Sequence, residues 1–267
     1  MCSEINTTAL IAEMKRYLLW EKESYENWEN IEIVIASNLS EAWIKARPQD
    51  QHKFDDTEFK QKVDCSNGKW LEKQTEGDKY KVILATKNVH SLCDLTKSLV
   101  HEIRHCLDYQ NAVENLSFDE YDCGNEYYNN WSEFRAVYAH TRYEYFARCH
   151  SNISFTAKFN SLSQILGKSS ADAVMGLMLS EDISDTLYYI SRYIGASRAI
   201  RNINMEEQLE ADCFNLWNMT PQYIIENYGY VFYIGNEWDA LDSCELHGIS
   251  KTYYNKLLDK IMETMSK

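Results

Sequence analysis

Only two prolines, Pro48 and Pro221, and nine glycines punctuate the 267 residues of the chain. Proline and glycine are the strongest local breakers of regular backbone. A chain this poor in them has few places where a helix must stop, which favours long helices over an all-β fold. Hydrophobic residues make up 45% and aromatics 13%, ample for a buried core and against disorder. The length allows one large domain or two small ones.

Residues 7 to about 46 read mostly as helix. "TTALIAEMKRYLLW" sets Leu10, Ile11, Met14, Leu18 and Leu19 on one face. "WENIEIVIASNLSEAWIKA" reads two ways: Ile31, Ile33 and Ile35 alternate as in a strand, while Ile31, Ile35 and Leu39 fit a helix. Pro48 and the polar "RPQDQHKFDD" end this region. In "EFKQKVDCSNGKWLEKQTEGDKYKVILATKN" the Asn67-Gly68 pair accepts positive φ at both turn positions and signals a hairpin. A second turn at "EGD" leads into "KYKVILA", so three short antiparallel strands are expected before residue 88.

Ser91 with Asp94 three residues on marks a helix start. "SLCDLTKSLVHEIRHCLDYQNAVEN" then runs without Pro or Gly, with Leu95, Leu99 and Ile103 as its apolar face. "LSFDEYDCGNEYYNN" reads as a loop and "WSEFRAVYAHTRYEYFARCH" as a second helix. Beyond residue 160 nearly all is helical, near 160–178, 184–202, 205–218 and 250–265, with Thr220-Pro221 a cap followed by proline at the first helical position. The expected fold is mainly helical α+β, a small antiparallel sheet followed by the HEIRH helix and further helices. Residues 1–150 would form one domain with its core at 78–150, and residues 151–267 a helical C-terminal part. "SQILGKSSADAVMGLM" has the look of a helix–turn–helix, although any helical hairpin gives this pattern.

The formal net charge is −14, from 41 acidic and 27 basic residues. Such a surface repels phosphate backbones and anionic lipid, and no Lys/Arg run offsets it, so neither nucleic acid nor membrane is expected as a partner. "MCSEINTTALIAEMKRYLLW" lacks the layout of a signal peptide, and no apolar run approaches the roughly 18 residues of a membrane span. The expectation is a soluble, cytoplasmic protein, with export lacking a cleaved signal left open. The 8 cysteines are scattered without a CxxC pair, which reads as buried thiols rather than a zinc knuckle or a disulfide frame.

Chemistry concentrates in "HEIRH", His101 to His105. Residues four apart on a helix lie on one face, so His101 and His105 can each aim a ring nitrogen at one point about 2 Å away, the zinc–nitrogen distance. Glu102, 100° around the helix, can touch water on such a metal without being a ligand. Zinc lowers the pKa of that water towards 7, and the glutamate takes its proton and delivers it to the leaving amine. Random placement of 7 His and 25 Glu gives an HExxH in about one or two such chains per hundred, so context must carry the rest.

The third ligand chosen is Glu133 in "NNWSEFRAVYAH", 28 residues after His105, room enough to end one helix and return on another. It would complete a His₂Glu site with an open fourth position. A competing use is a capping box with Asn130 at a helix start. Asp108, three after His105, is an alternative ligand, a partner for a histidine N–H, or the mate of Arg104 or Arg135 on the surface. Arg135 could orient Glu133 or Asp108. His140, seven after Glu133, could donate to an oxyanion or be an ordinary helix histidine. Tyr138, Tyr228 and Tyr230 are further oxyanion candidates that nothing ranks. Cys106 points away from the metal, into the core.

"HEIRH" with "SEFRA" resembles the zincin metallopeptidases, in particular the gluzincin type, with the compact ImmA/IrrE-like peptidases as the nearest general picture. The resemblance spans roughly residues 78–150. It implies a zinc ion on His101, His105 and Glu133, with Glu102 as general base and acid. It also implies a zincin-like fold in which "KYKVILA" is the sheet edge pairing with an extended peptide. The chain departs from the thermolysin-like pattern, whose glutamate comes sooner and is followed three residues later by an aspartate; here that position is Ala136. The expected activity is zinc-dependent hydrolysis of peptide bonds, on a narrow protein or peptide substrate. The alternatives are a regulatory or interaction module with a structural or vestigial zinc site, and hydrolysis of a non-peptide amide.

Overall fold

The computed structural model describes residues 6–87, 89–115, 126–149, 154–209, 221–228 and 259. The chain divides into two compact units, Met1–Leu107 and Asp108–Lys267.

The first unit opens with α1 (Thr7–Leu18), capped by the Asn6 side chain, which accepts the Ala9 N–H at 2.9 Å. Its buried stripe is Leu10, Met14 and Tyr17. Leu19, read above as part of that stripe, lies just past the helix end and is 90% exposed. The ambiguous isoleucines resolve as strand β1 (Glu32–Ala36). Helix α2 (Leu39–Ala46) starts at Asn38, whose side chain accepts the Glu41 N–H at 3.0 Å.

The stretch from "EFKQKV" to residue 88 is not the run of three antiparallel strands the sequence suggested. Pro48–Asp55 is a 3-10 segment, and "EFKQKV" lies in helix α3 (Thr57–Cys65). Asp56 caps α3 by accepting the Glu58 and Phe59 N–H groups, and Val63 packs into the core. Asn67-Gly68 makes no hairpin: it joins α3 to strand β2 (Gly68–Leu71). The "EGD" turn holds, with the Asp78 N–H donating to the Thr75 carbonyl at 3.0 Å, and leads to strand β3 (Lys81–Ala85).

The three-stranded sheet is mixed, in the order β1–β3–β2. β1 runs parallel to β3, from Glu32↔Lys81 to Ala36↔Ala85, and β2 antiparallel, from Gly68↔Leu84 to Leu71↔Lys81. Parallel pairing follows from the long crossover between β1 and β3. β3, expected at an edge, is therefore the central strand. Val82 to Ala85 are at most 1% exposed, and a strand apolar on both faces belongs inside a sheet. Ile83 and Ala85 face a core of Leu39, Trp43, Phe54, Val63 and Leu71, and Val82 and Leu84 face the opposite side.

Helix α4 (Leu92–Gln110) begins as expected. The Asp94 N–H donates to Ser91 Oγ at 3.1 Å and the Leu95 N–H to the Ser91 carbonyl at 3.1 Å. Leu95, Leu99 and Ile103 are fully buried. The chain continues into a π-helical turn, Asn111–Asn115.

In the second unit, α5 (Glu126–Cys149) begins five residues before Trp131, where the second helix was expected. Residues 116–125 of the expected loop lie outside the described residues. α5 is buried on most of its circumference, where polar groups need partners. The buried Arg142, for one, donates to both oxygens of Glu206 at 3.1 and 3.0 Å. α6 (Phe155–Leu179) runs straight through Gly167, so the suggested helix–turn–helix is one helix. α7 (Ile183–Glu206) is capped by Asp182, which accepts the Asp185 N–H at 2.8 Å. At Gly195 the backbones of α5 and α7 approach so closely that a β-carbon would stand 2.4 Å from the Phe134 carbonyl oxygen.

The helix expected near 205–218 does not begin there: α7 ends at Glu206 and Gln208 has φ 50°. Residues 210–218 and most of 250–265 lie outside the described residues. Helix α8 (Gln222–Tyr228) begins one residue after Pro221, which therefore stands before the helix and not at its first position; Thr220 lies outside the described residues. Cys65, Cys93, Cys106 and Cys149 carry no disulfide. Among the described residues no helix is long and apolar enough to cross a membrane. The fold is thus mainly helical α+β with a small mixed sheet.

Candidate metal centre

His101 and His105 share one face of α4. Their Nε2 atoms stand 3.1 Å apart, with ring centroids 4.7 Å apart and planes crossed at 80°. Two nitrogens bound at about 2.05 Å to one tetrahedral zinc would be about 3.3 Å apart, so the pair is already near that spacing. Without an ion, the same approach is a hydrogen bond from one ring N–H to the other ring's nitrogen. Both rings are half-buried, while Ile103, Cys106 and Leu107 between and beside them are buried. Cys106 is therefore a core residue, as expected.

Glu102 lies over β2. Its Oε2 accepts the Trp70 backbone N–H at 3.0 Å. Its Cγ passes so near Gly68 that a β-carbon there would stand 2.8 Å away.

Glu133 projects from α5 with its side chain 10% exposed. Arg192 of α7 donates through Nη1 to Glu133 Oε1 at 2.5 Å and to the Tyr188 hydroxyl at 3.1 Å. Burial and then the Glu133 charge push the Tyr188 hydroxyl up to about 12. Burial pulls Arg192 down, but Glu133 and Tyr188 together raise it above the usual arginine value. The capping-box alternative for Glu133 falls away, because Asn130 is inside α5 rather than before it. Its Oδ1 instead accepts the Ser191 hydroxyl at 3.3 Å.

Among the described residues, one group of three metal-capable side chains stands together: His101, His105 and Glu133, one ligand atom from each, all within 4.8 Å. Histidine nitrogens with one carboxylate oxygen are a donor set suited to zinc. Asp108 is outside that group. It is 2% exposed, and both its oxygens accept from Arg135 Nε at 3.1 Å. The Asp108–Arg135 pair is therefore at a buried carboxylate rather than on the surface. Arg104 instead stands 3.8 Å from Glu23 and donates to the Ser24 carbonyl at 3.3 Å. His140 is half-buried in α5, two turns beyond Glu133 on the same face and outside the group of three. The Tyr138 hydroxyl accepts from Asn202 at 2.9 Å. The Tyr228 side chain and Tyr230 lie outside the described residues.

Sequence reasoning missed Arg192 and Tyr188 as neighbours of Glu133, since nothing local marks a partner 59 residues away. It also missed Gly68 and Trp70 as neighbours of Glu102, which lie 34 and 32 positions earlier in the chain. Comparison of the chain with protein-family profiles, with curated proteins and with solved structures found no match.

Proposed function

We propose that this chain is a zinc-dependent metallopeptidase of the gluzincin kind, with a zincin-like catalytic core, acting on a specific protein substrate. The observation that carries this reading is the convergence of the His101 and His105 Nε2 atoms to 3.1 Å on a helix that places Glu102 beside them. The gathering of Glu133 with the two histidines supports a His₂Glu set, which leaves a fourth position for a reactant. A zinc ion held there supplies Lewis acidity, acidifying water and polarising a carbonyl. His101 and His105 bind as neutral imidazoles and Glu133 as a carboxylate. Glu102 takes a proton from the attacking water and passes it to the leaving nitrogen. His140 is a candidate donor to the developing oxyanion. A narrow substrate is favoured because broad peptidase activity in a cytoplasm would degrade the host's own proteins. The same residues would serve hydrolysis of a non-peptide amide.

The Arg192–Glu133 pair favours a second reading. Glu133 already has a counter-charge, as it would in a regulatory or interaction module whose zinc site is structural or vestigial. Glu102 separates the two, since a structural site has no use for a base.

The test is elemental analysis of the purified chain beside His101→Ala and Glu133→Ala, followed by a search for protein hydrolysis with Glu102→Gln as control. About one zinc per chain, lost in both variants, with hydrolysis abolished by Glu102→Gln, is the expected result. A chain that holds no zinc and takes none up overturns the reading.

A further inference from the structure

β2 is an edge strand; among the described residues no strand lies beyond it in the sheet. It turns alternate peptide groups towards β3. The Ala85 N–H donates to the Asn67 carbonyl at 2.9 Å, and Lys69 and Leu71 follow in the same phase opposite Ile83 and Lys81. The peptide groups of Gly68 and Trp70 therefore point outward, along the free edge. At that edge the Trp70 N–H donates to Glu102 Oε2 at 3.0 Å. A backbone donor on a charged acceptor is the stronger kind of hydrogen bond.

The approach of Glu102 depends on what Gly68 lacks. A β-carbon at position 68 would stand 2.8 Å from Glu102 Cγ, 3.3 Å from its Oε1 and 3.2 Å from Leu84 Cδ2. The nearest of these is inside any tolerated carbon–carbon contact, so any larger residue must displace the glutamate stem. Gly68 has no positive-φ requirement; the glycine is there for space.

We propose that Gly68 and the Trp70 N–H are a seat that positions Glu102 for proton transfer. The hydrogen bond fixes Oε2, the missing side chain admits the stem, and Oε1 is left in one orientation to accept a proton. A glutamate free to sample its rotamers would lose that alignment, and a displacement of about 1 Å can cost about a hundredfold in rate. The use of the seat rests on the hydrolase reading above; its existence does not. The competing account is that Glu102 only covers an edge amide.

The test uses the full chain in four forms: wild type, Gly68→Ala, Glu102→Ala and the double variant. Gly68→Ala is expected to lower the thermal midpoint by a few degrees when Glu102 is present, and by much less in the Glu102→Ala background, where Cγ is gone. Equal losses in both backgrounds overturn the seat. If Gly68→Ala does not fold alone, recovery on adding Glu102→Ala reads the same coupling, and no recovery overturns it. The positioning role is read separately, on the cobalt(II)-loaded chain and with a quenched fluorescent peptide library. Gly68→Ala should shift the visible cobalt bands and lower kcat about ten- to a hundredfold, with KM and metal content unchanged. Coupled stability with unmoved cobalt bands and kcat would leave Glu102 as an edge cover and overturn the positioning role. A chain that takes up neither zinc nor cobalt overturns the hydrolase reading, and the positioning role with it, whereas the seat stands or falls on the thermal shifts alone.

Discussion

Arg192 donates through one nitrogen, Nη1, to both Glu133 Oε1 and the Tyr188 hydroxyl. Glu133 is thereby a buried carboxylate with a counter-charge on one oxygen. The guanidinium is 36% exposed and its charge partly screened, so the pair stabilises the fold modestly. Arg192→Gln should cost about 1–2 kcal/mol in the metal-free chain, mostly from removing the Arg192 charge beside the buried Glu133 carboxylate. Zinc should then raise the thermal midpoint of the variant by more than it raises the wild type's, because the ion takes over the counter-charge that Arg192 gave that carboxylate. Thermal scans with and without zinc measure both shifts. Equal zinc-induced shifts would show that zinc and Glu133 do not interact.

Gly195 sets how closely α7 approaches α5. A β-carbon there would stand 2.4 Å from the Phe134 carbonyl oxygen and 3.2 Å from Val137 Cβ. Backbone cannot swing aside as a side chain can, so Gly195→Ala must push the helices apart, at about 1–3 kcal/mol. Glu133 is the residue before Phe134, so its contact with Arg192 should loosen as well. Denaturation followed by circular dichroism reads the first effect. An unchanged midpoint would mean that the helices separate without cost.

The parts of this architecture that were legible in the sequence are those specified by neighbours in the chain. Ser91 and Asp94 announce α4 because a cap is a contact across three residues, and His101 and His105 share a face by helix geometry alone. What was not legible depends on order in space. β3 reads like any apolar strand, and only the parallel partner β1, brought in by a crossover through two helices, makes it central. Asn67-Gly68 has the dipeptide preference of a hairpin, yet α3 is capped, buries Val63, and ends directly before it. Tertiary packing decided the local conformation there, and the glycine serves a glutamate 34 positions later in the sequence. Arg192 could not have been assigned to Glu133 at all, since an arginine on a helix carries no mark of its carboxylate.

Asp108 is the residue on which sequence reasoning left most alternatives open. Its carboxylate is 2% exposed and engaged through both oxygens by Arg135 Nε. An asparagine keeps one acceptor for that N–H but loses the charge, so Asp108→Asn should destabilise the chain by about 1–3 kcal/mol. It should still hold the zinc content of the wild type, because Glu133 completes the proposed set. Loss of zinc in Asp108→Asn, with Glu133→Ala still loaded, would instead make Asp108 the third ligand.

The first unit should owe part of its stability to Asp50, and that part should depend on pH. Asp50 is 6% exposed. It accepts the Trp43 indole N–H at 2.8 Å, and Lys53 Nζ stands 2.9 Å away. Burial pushes its pKa up, but hydrogen bonds from Lys53 and Trp43, with the charges of Lys53 and Arg47, hold it below the ordinary aspartate value of 3.8. A carboxyl whose folded pKa is depressed binds its proton less readily than in the unfolded chain. Its contribution is therefore complete above the unfolded pKa and is lost as pH falls through the folded one. Asp50→Asn should lower stability by about 1–2 kcal/mol at pH 7, the low end for a hydrogen-bonded charge because Lys53 is near solvent. The gap between variant and wild type should close as the pH is taken below 3.8. Asp64 is depressed in the same way by its bonds from Ser40, so both proteins should weaken in acid while the difference between them shrinks. Urea midpoints at pH 7, 5 and 3 would show this; a gap that stays constant into acid would mean that the Asp50 charge contributes nothing, and that only the shape of the side chain matters to the Trp43 indole.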